Sequence, residues 1–215
     1  MRHVHILVEG QTEETFVSEV LAPHLWNFNI HINPVLLNTG TGKGGVSKYA
    51  RIRRDVLLLL QDSSAAAVST MLDFYGLPDD FPGLHTLLAQ CSALKKVQTA
   101  EQAFANDVSD ARFIPFLTLH EFEAFLFVDI ERLFEIVAVS SDCQRKLKAI
   151  AQAVSTPEEI NDTPSGHPSQ RIKSCIPGFS KLLHGIPCVR TIGLERIRLK
   201  CPHFSEWLSR LEQLP

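Results

Sequence analysis

Three positions in the chain put carboxylates where long apolar runs end: Glu9 after HILV, Asp73 after AAAVSTML, and the pair Glu121 and Glu123 in LHEFEAF. A charge at the mouth of a buried strand is costly unless something pairs with it. Carboxylates brought close together raise one another's pKa or demand a counter-ion. A hard divalent cation with oxygen ligands, Mg²⁺ or Mn²⁺, keeps them ionised at least cost. Glu13, four residues after Glu9, has two roles open to it: leaning back to the same ion, or complementing the dipole of the helix it begins. Glu121 and Glu123 share a face if the strand continues through them. They lie on different faces if a helix starts at His120, and one of them is then the ligand. His120 itself reads either as a base or ligand beside the acids or as a hydrogen-bonded structural histidine. The competing reading of each acid alone is a solvated cap at a strand-to-helix turn.

The elements that would gather these acids follow from periodicity. Residues 3–8 alternate and then run apolar, as a strand entering a buried sheet does. Thr12 stands where a helix cap is expected, with Glu13 and Glu14 in the first turn of a helix running to Trp26. Strands are expected at 31–37, 65–73 and 112–119, and helices at 47–61 and across 84–106. Strands alternating with helices predict an α/β, Rossmann-like, mostly parallel sheet of about four strands flanked by helices. In such sheets ligands bind outside the carboxyl ends of the strands, where the predicted carboxylates lie. From residue 129 the pattern changes to short helices and loops. The expected organisation is an α/β domain over 1–128 and a helical C-terminal extension over 129–215 packed on it.

The composition is that of an ordinary globular chain. At 215 residues, 45% hydrophobic and 21% charged, it can bury one sizeable core. The net charge of −3 rules out wrapping by nucleic acid through a bulk positive surface and confines any such contact to a local patch. Five cysteines without a C-x-x-C pair fit reduced thiols and a cytoplasmic location. Cys175, Cys188, Cys201 and His203 lack the paired spacing of zinc sites, so packed thiols are expected there. The longest apolar runs, such as VLLLL at 56–60, are too short to span a bilayer, and no signal-peptide pattern opens the chain.

Chemistry on a phosphodiester also needs cations for the substrate phosphates. The candidates are Lys43 and Lys48 beside the glycine-rich loop TGTGKGG, then Arg51, Arg53 and Arg54, and a C-terminal group of Arg171, Lys173, Lys181, Arg196, Arg198 and Lys200. The loop is not a nucleotide-binding P-loop. Lys43 is followed by Gly44 instead of Ser or Thr, and the four-residue spacer is missing.

Several stretches resemble one family. VEGQTEE after the first strand, LDFYGLPDDFPG, LHEFEAFLF, PEEIND with PSQRI, and IRLKCPHFSEWLSRL look like the Toprim-like proteins known as domain of unknown function 4276. The resemblance covers nearly the whole chain. It implies a Toprim-like fold and, through the wider superfamily of topoisomerases, primases and overcoming-lysogenization-defect nucleases, metal-dependent phosphodiester chemistry. It further implies a partner ATPase in a phage-defence setting. On it, Glu9 takes the role of the Toprim glutamate and Asp73 that of the first aspartate of D-x-D. Residue 75 departs from the pattern, being Tyr where the second aspartate is expected. Glu121 and Glu123 then stand as substitutes for that acid. The alternative is a catalytically degenerate subunit that binds an ATPase or nucleic acid without cleaving.

Overall fold

The computed structural model describes residues 1–38, 48–86, 91–119, 121–160 and 166–215. They fall into two compact units: residues 1–119 together with 210–215, and residues 120–209.

The first unit is built on a parallel sheet. β1 (Arg2–Val8) lies between β2 (Ile30–Leu36) and β3 (Ala65–Asp73), and β3 also carries β4 (Phe113–Ile114) and β5 (Leu117–Thr118). Ile6, Leu7 and Val8 are consecutive and all fully buried, so the end of β1 is covered on both faces. Residues 67–72 of β3 are buried in the same way. That is the signature of an internal parallel strand. β2 alternates instead, with Ile30 and Ile32 inside and His31 and Asn33 outside, as an edge strand must. Pro34, which cannot donate to a ladder, sits on this edge, where the loss is tolerated.

Helices cover the faces. The first helical segment runs as α1 (Gln11–Phe16), a π-helical turn (Val17–Leu21) and α2 (Ala22–Trp26), burying Phe16, Val17, Leu21 and Leu25. Its N-cap is Gly10, in extended conformation, and Thr12 is a buried residue inside the first turn, which corrects the expected cap. α3 (Tyr49–Leu60) and α4 (Ala93–Val108) bring Ile52, Val56, Val97, Ala100 and Phe104 against Leu7, Val68 and Leu72 in one core. Phe81, Phe104 and Phe113 meet there edge to face, with ring centroids 5.0 Å and 4.7 Å apart.

The strand expected over 112–119 is two short strands. Pro115 lies between them and has no N–H for the ladder. Side chains of β3 repair the gap: the buried Thr70 hydroxyl donates to the Phe116 carbonyl at 2.9 Å and accepts from the Phe116 N–H at 3.0 Å, while Ser69 donates to the Ile114 carbonyl at 2.5 Å.

The second unit is helical. A 3₁₀ helix (Phe122–Val128) buries Phe122, Phe125, Leu126 and Phe127, and Phe125 meets Phe204 with ring centroids 5.0 Å apart. Around it stand α5 (Glu131–Ile136), α6 (Ser141–Gln152), a 3₁₀ turn (Pro157–Glu159), α7 (Pro168–Cys175), a π-helical turn (Lys181–Gly185), α8 (Ile186–Ile192), α9 (Leu194–Lys200) and α10 (Pro202–Glu212). The last residues of α10 belong with the first unit. Among the described residues no strand follows β5, and no helix is long and apolar enough to cross a membrane.

Thr70→Val keeps the shape of the side chain and removes both bonds to Phe116. Urea unfolding is expected to show a loss of about 2–3 kcal/mol, the cost of leaving a buried N–H and carbonyl unsatisfied. A change below about 0.5 kcal/mol would mean the two strands do not depend on that hydroxyl.

Candidate functional site

The strand order reverses between β1 and β3. From β1 the chain goes out to β2 on one side, and β3 and β4 lie on the other. In open parallel sheets the crevice at such a reversal, beyond the carboxyl ends of the two strands, is where ligands bind. Register puts Val8 opposite Met71, so Glu9 leaves β1 beside the last two residues of β3, Leu72 and Asp73, the latter still paired with Thr118 of β5. The Asp73 N–H donates to Glu9 Oε2 at 3.1 Å. The chain then turns through a short 3₁₀ helix (Phe74–Gly76) that passes close to the same carboxylate. A Cβ on Gly76 would stand 3.3 Å from Glu9 Oε1, 3.5 Å from Oε2 and 3.8 Å from Asp73 Cβ. This turn also takes Tyr75 off the strand pattern and leaves it 49% exposed.

Glu13 is buried near its helix start, and a Cβ on Gly10 would come 3.3 Å from its Oε2. The carboxylate thus lies over the first turn of α1, where negative charge complements the orphan N–H groups. Glu9 and Asp73 are the pair the sheet brings together. A hydrated Mg²⁺ is commonly held by one or two carboxylates with substrate oxygens and waters completing its shell, and Glu9 and Asp73 supply that ligand type, although it is the Asp73 backbone N–H that touches Glu9. Among the described residues no group of three or more His, Cys, Asp or Glu gathers as a complete protein cage.

In the second unit the acids meet different partners. Glu121 is the extended residue before the 3₁₀ helix, and both its oxygens are taken: Ser169 N–H donates to Oε2 and Ser169 Oγ to Oε1, each at 2.9 Å. Ser169 lies in the first turn of α7, so Glu121 caps a helix that begins 47 residues further along. Glu123, two positions on, is fully buried, and its Oε2 sits 2.8 Å from Lys181 Nζ. Burial pushes its carboxyl above the ordinary range, the ammonium of Lys181 opposes that shift, and Glu121 adds to it. The 3₁₀ helix beginning at Phe122 is what separates the environments of the two acids.

A third acid, not singled out from the sequence, repeats the arrangement of Glu121. Glu158 is buried and accepts from His203 N–H at 3.1 Å and Phe204 N–H at 2.9 Å, capping α10. A signal for both caps was present. Pro168 and Pro202 open helices after His167 and Cys201, residues that cap poorly, so the orphan N–H groups need an acceptor from elsewhere. LHEFEAF thus meets PSQRI, and PEEI meets CPHF.

Among the described residues, four of the candidate cations are engaged by the chain's own carboxylates: Arg53 with Asp107 at 2.7 Å, Arg54 with Asp55 at 2.9 Å, Arg196 with Asp129 at 2.9 Å, and Lys181 with Glu123 at 2.8 Å. Lys48 is exposed at the start of α3, and Lys173 is exposed on α7. Arg171 donates through Nε to the Gly166 carbonyl at 2.6 Å and borders a cleft of about 280 Å³ with Ala149 and Ile150 of α6 and Ala153 just after it. Lys43, the rest of TGTGKGG and His120 lie outside the described residues.

Glu121→Ala is expected to cost about 1–2 kcal/mol in urea unfolding, and Ser169→Ala less, because the backbone N–H still reaches Glu121. Glu123 sets a pH signature. Its folded pKa lies above the unfolded one, so the stability it contributes is complete below the unfolded value and is lost as pH rises through the folded value. Glu123→Gln therefore gains stability relative to the parent as pH rises from about 4 to 7. A constant difference across that range would contradict the assignment.

The sequence matches the family described as Domain of unknown function (DUF4276) over residues 8–212, a span that takes in Glu9, Asp73, Glu121, Glu158, Ser169 and His203. No curated protein and no solved structure is significantly similar to the chain. With nearly its whole length matched, the chain belongs to the DUF4276 family.

Proposed function

We propose that the chain is a Toprim-like nuclease, or the nuclease subunit of a larger machine, that hydrolyses nucleic-acid phosphodiesters with Mg²⁺ or Mn²⁺. It works in the cytoplasm with a partner ATPase in a phage-defence setting. The observation that carries this reading is the meeting of Glu9 and Asp73 outside the carboxyl ends of β1 and β3, where the strand order reverses. Glu9 and Asp73 would hold the cation. When bound, such an ion polarises a phosphoryl oxygen and lowers the pKa of a water.

The chain's own contribution is positional. The Asp73 N–H fixes one oxygen of Glu9, and Gly76, having no side chain, leaves room for that carboxylate beside the turn. Lys48, in the first unit, is the described cation assigned to substrate phosphates; Arg171 and Lys173 belong to the second unit and Lys43 lies outside the described residues, so their assignment to phosphates rests on the sequence alone. The partner ATPase follows from the Toprim-like resemblance.

One observation favours a second reading, a degenerate subunit that binds an ATPase or nucleic acid without cutting. Tyr75 replaces the second aspartate and stands exposed on the turn, and Glu121 is already committed to Ser169.

The test is Mn²⁺ titration by calorimetry together with cleavage of DNA and RNA in Mg²⁺ or Mn²⁺, with and without the partner ATPase, for the parent, Glu9→Gln and Asp73→Asn. The nuclease reading expects saturable metal binding, and cleavage that falls at least about 100-fold in both variants. Metal binding without cleavage, even with the ATPase, favours the degenerate subunit. Equal cleavage by parent and variants assigns the activity to a contaminant, and a parent that binds no metal overturns the site.

A further inference from the structure

Tyr75 is an aromatic ring at the rim of the cation site, and that site makes no use of it. It follows Asp73 by two residues and precedes Gly76, whose backbone lies against the Glu9 carboxylate. Its side chain is 49% exposed, while Phe74 beside it is buried and meets it edge to face, with ring centroids 5.4 Å apart and planes at 79°. The buried ring thus holds the exposed one at a fixed tilt. The chain's other tyrosine is used inside the fold: the Tyr49 hydroxyl donates to Asp107 at 2.6 Å, and its ring packs on Phe81 and Phe104. We propose that Tyr75 is a stacking platform for a nucleobase, so that the nucleic acid taken at Glu9 and Asp73 is single-stranded there.

An aromatic face can hold a base only when that base has left its stack, because inside a duplex both faces of each base are covered by its neighbours. Every base offers such a face once it is free, so this contact selects single strands without selecting sequence. All the residues concerned belong to the first unit and follow strand ends on one edge of its sheet. With one residue between Asp73 and Tyr75, a base on the ring and a phosphate at the acids would belong to adjacent nucleotides. Trp26 and Phe28 are exposed aromatics as well, but they precede β2 and so lie at the opposite edge, where Trp26 meets His31 with ring centroids 6.2 Å apart.

The surrounding charge points the same way. Asp79 and Asp80, a few residues beyond Tyr75, are exposed and repel phosphates. Asp80 also accepts the Tyr49 N–H at 2.8 Å, which brings the start of α3, with the exposed Lys48, to this segment. One lysine beside two acids does not make the basic groove that a duplex needs for binding through its phosphates alone. Affinity must then come from the stacked base and from the cation held by the acids.

The inference rests on the proposed nuclease reading and names the substrate class of that site, but it is read out by binding and not by cleavage. The experiment is fluorescence anisotropy of the full chain in Ca²⁺, which holds cleavage back, with labelled oligothymidylate, oligouridylate and a DNA duplex of mixed sequence. The parent is expected to bind a single strand at least about 10-fold more tightly than the duplex. Tyr75→Leu keeps the bulk without the aromatic face and should weaken single-strand binding roughly 5- to 150-fold, whereas Tyr75→Phe and Tyr75→Trp should retain it. Trp26→Ala, at the far edge, should bind as the parent does.

A parent that binds the duplex as tightly as the single strands overturns the inference. So does a parent that binds neither single strand, or a Tyr75→Leu variant that binds as the parent does. Retention in Tyr75→Phe and Tyr75→Trp separates a stacking face from a turn that merely needs a large residue. Failure of the nuclease reading looks different: single-strand binding that depends on Tyr75, with no cleavage in Mg²⁺ or Mn²⁺, upholds the inference and removes the catalysis. Cleavage that is lost in Glu9→Gln while Tyr75→Leu binds and cuts like the parent does the reverse.

Discussion

The hydrogen bond from the Asp73 N–H to Glu9 Oε2 ties together the ends of the two central strands, and the organisation of the first unit exists to make it possible. It needs β1 and β3 to be neighbours, parallel and in the register that sets Val8 against Met71. A slip of one residue would send every side chain of one strand to the opposite face, exchanging buried Val8 and Met71 for their neighbours. The register is therefore held by the whole core, from Leu7, Val68 and Leu72 to the helices α3 and α4 above them. A contact between two polar groups at the sheet's rim rests on some of the best-buried apolar residues in the chain.

The second unit uses carboxylates differently. Glu121 and Glu158 each bind the first turn of a helix that starts more than 40 residues later in the chain, and Glu123 is sunk into the interior against Lys181. Acids in the same stretch of sequence, LHEFEAF, thus divide between capping and ion pairing because a 3₁₀ helix begins between them. A carboxylate with two backbone or hydroxyl donors is already well stabilised as an anion, which lessens its need for a metal. This is the physical reason why Glu9 and Asp73, and not Glu121, carry the proposed cation site.

Much of the α/β pattern was legible in the residues themselves. The apolar runs of β1 and β3 have little choice but to be internal parallel strands, and their boundaries follow the turn signals closely. What could not be read locally depended on residues far away. Pro115 announces a broken ladder, but only Thr70 on a neighbouring strand tells how the break is repaired. Thr12 has the chemistry of a cap, yet Gly10 takes that position because the chain leaves β1 fully extended. Nothing near Glu158 in the sequence marks it as a cap, because its donors come from α10. Non-local capping has no period and no fixed spacing, so the pattern of a single segment cannot reveal it.

The first unit takes in residues 210–215, and the contacts they make have a bearing on synthesis. Arg2 reaches the Leu214 carbonyl through its guanidinium, and His24 Nε2 meets Glu212 Oε1 at 2.6 Å. The sheet's first strand and its first helical segment therefore find these partners only after more than 185 further residues have left the ribosome. Domains often fold from the N-terminal side as they emerge. Here β1 and the helical segment after it can form early, while these two contacts wait for residues 212–214. In the interval Arg2 and His24 are without these two partners, whose contacts are among the last of the first unit to form.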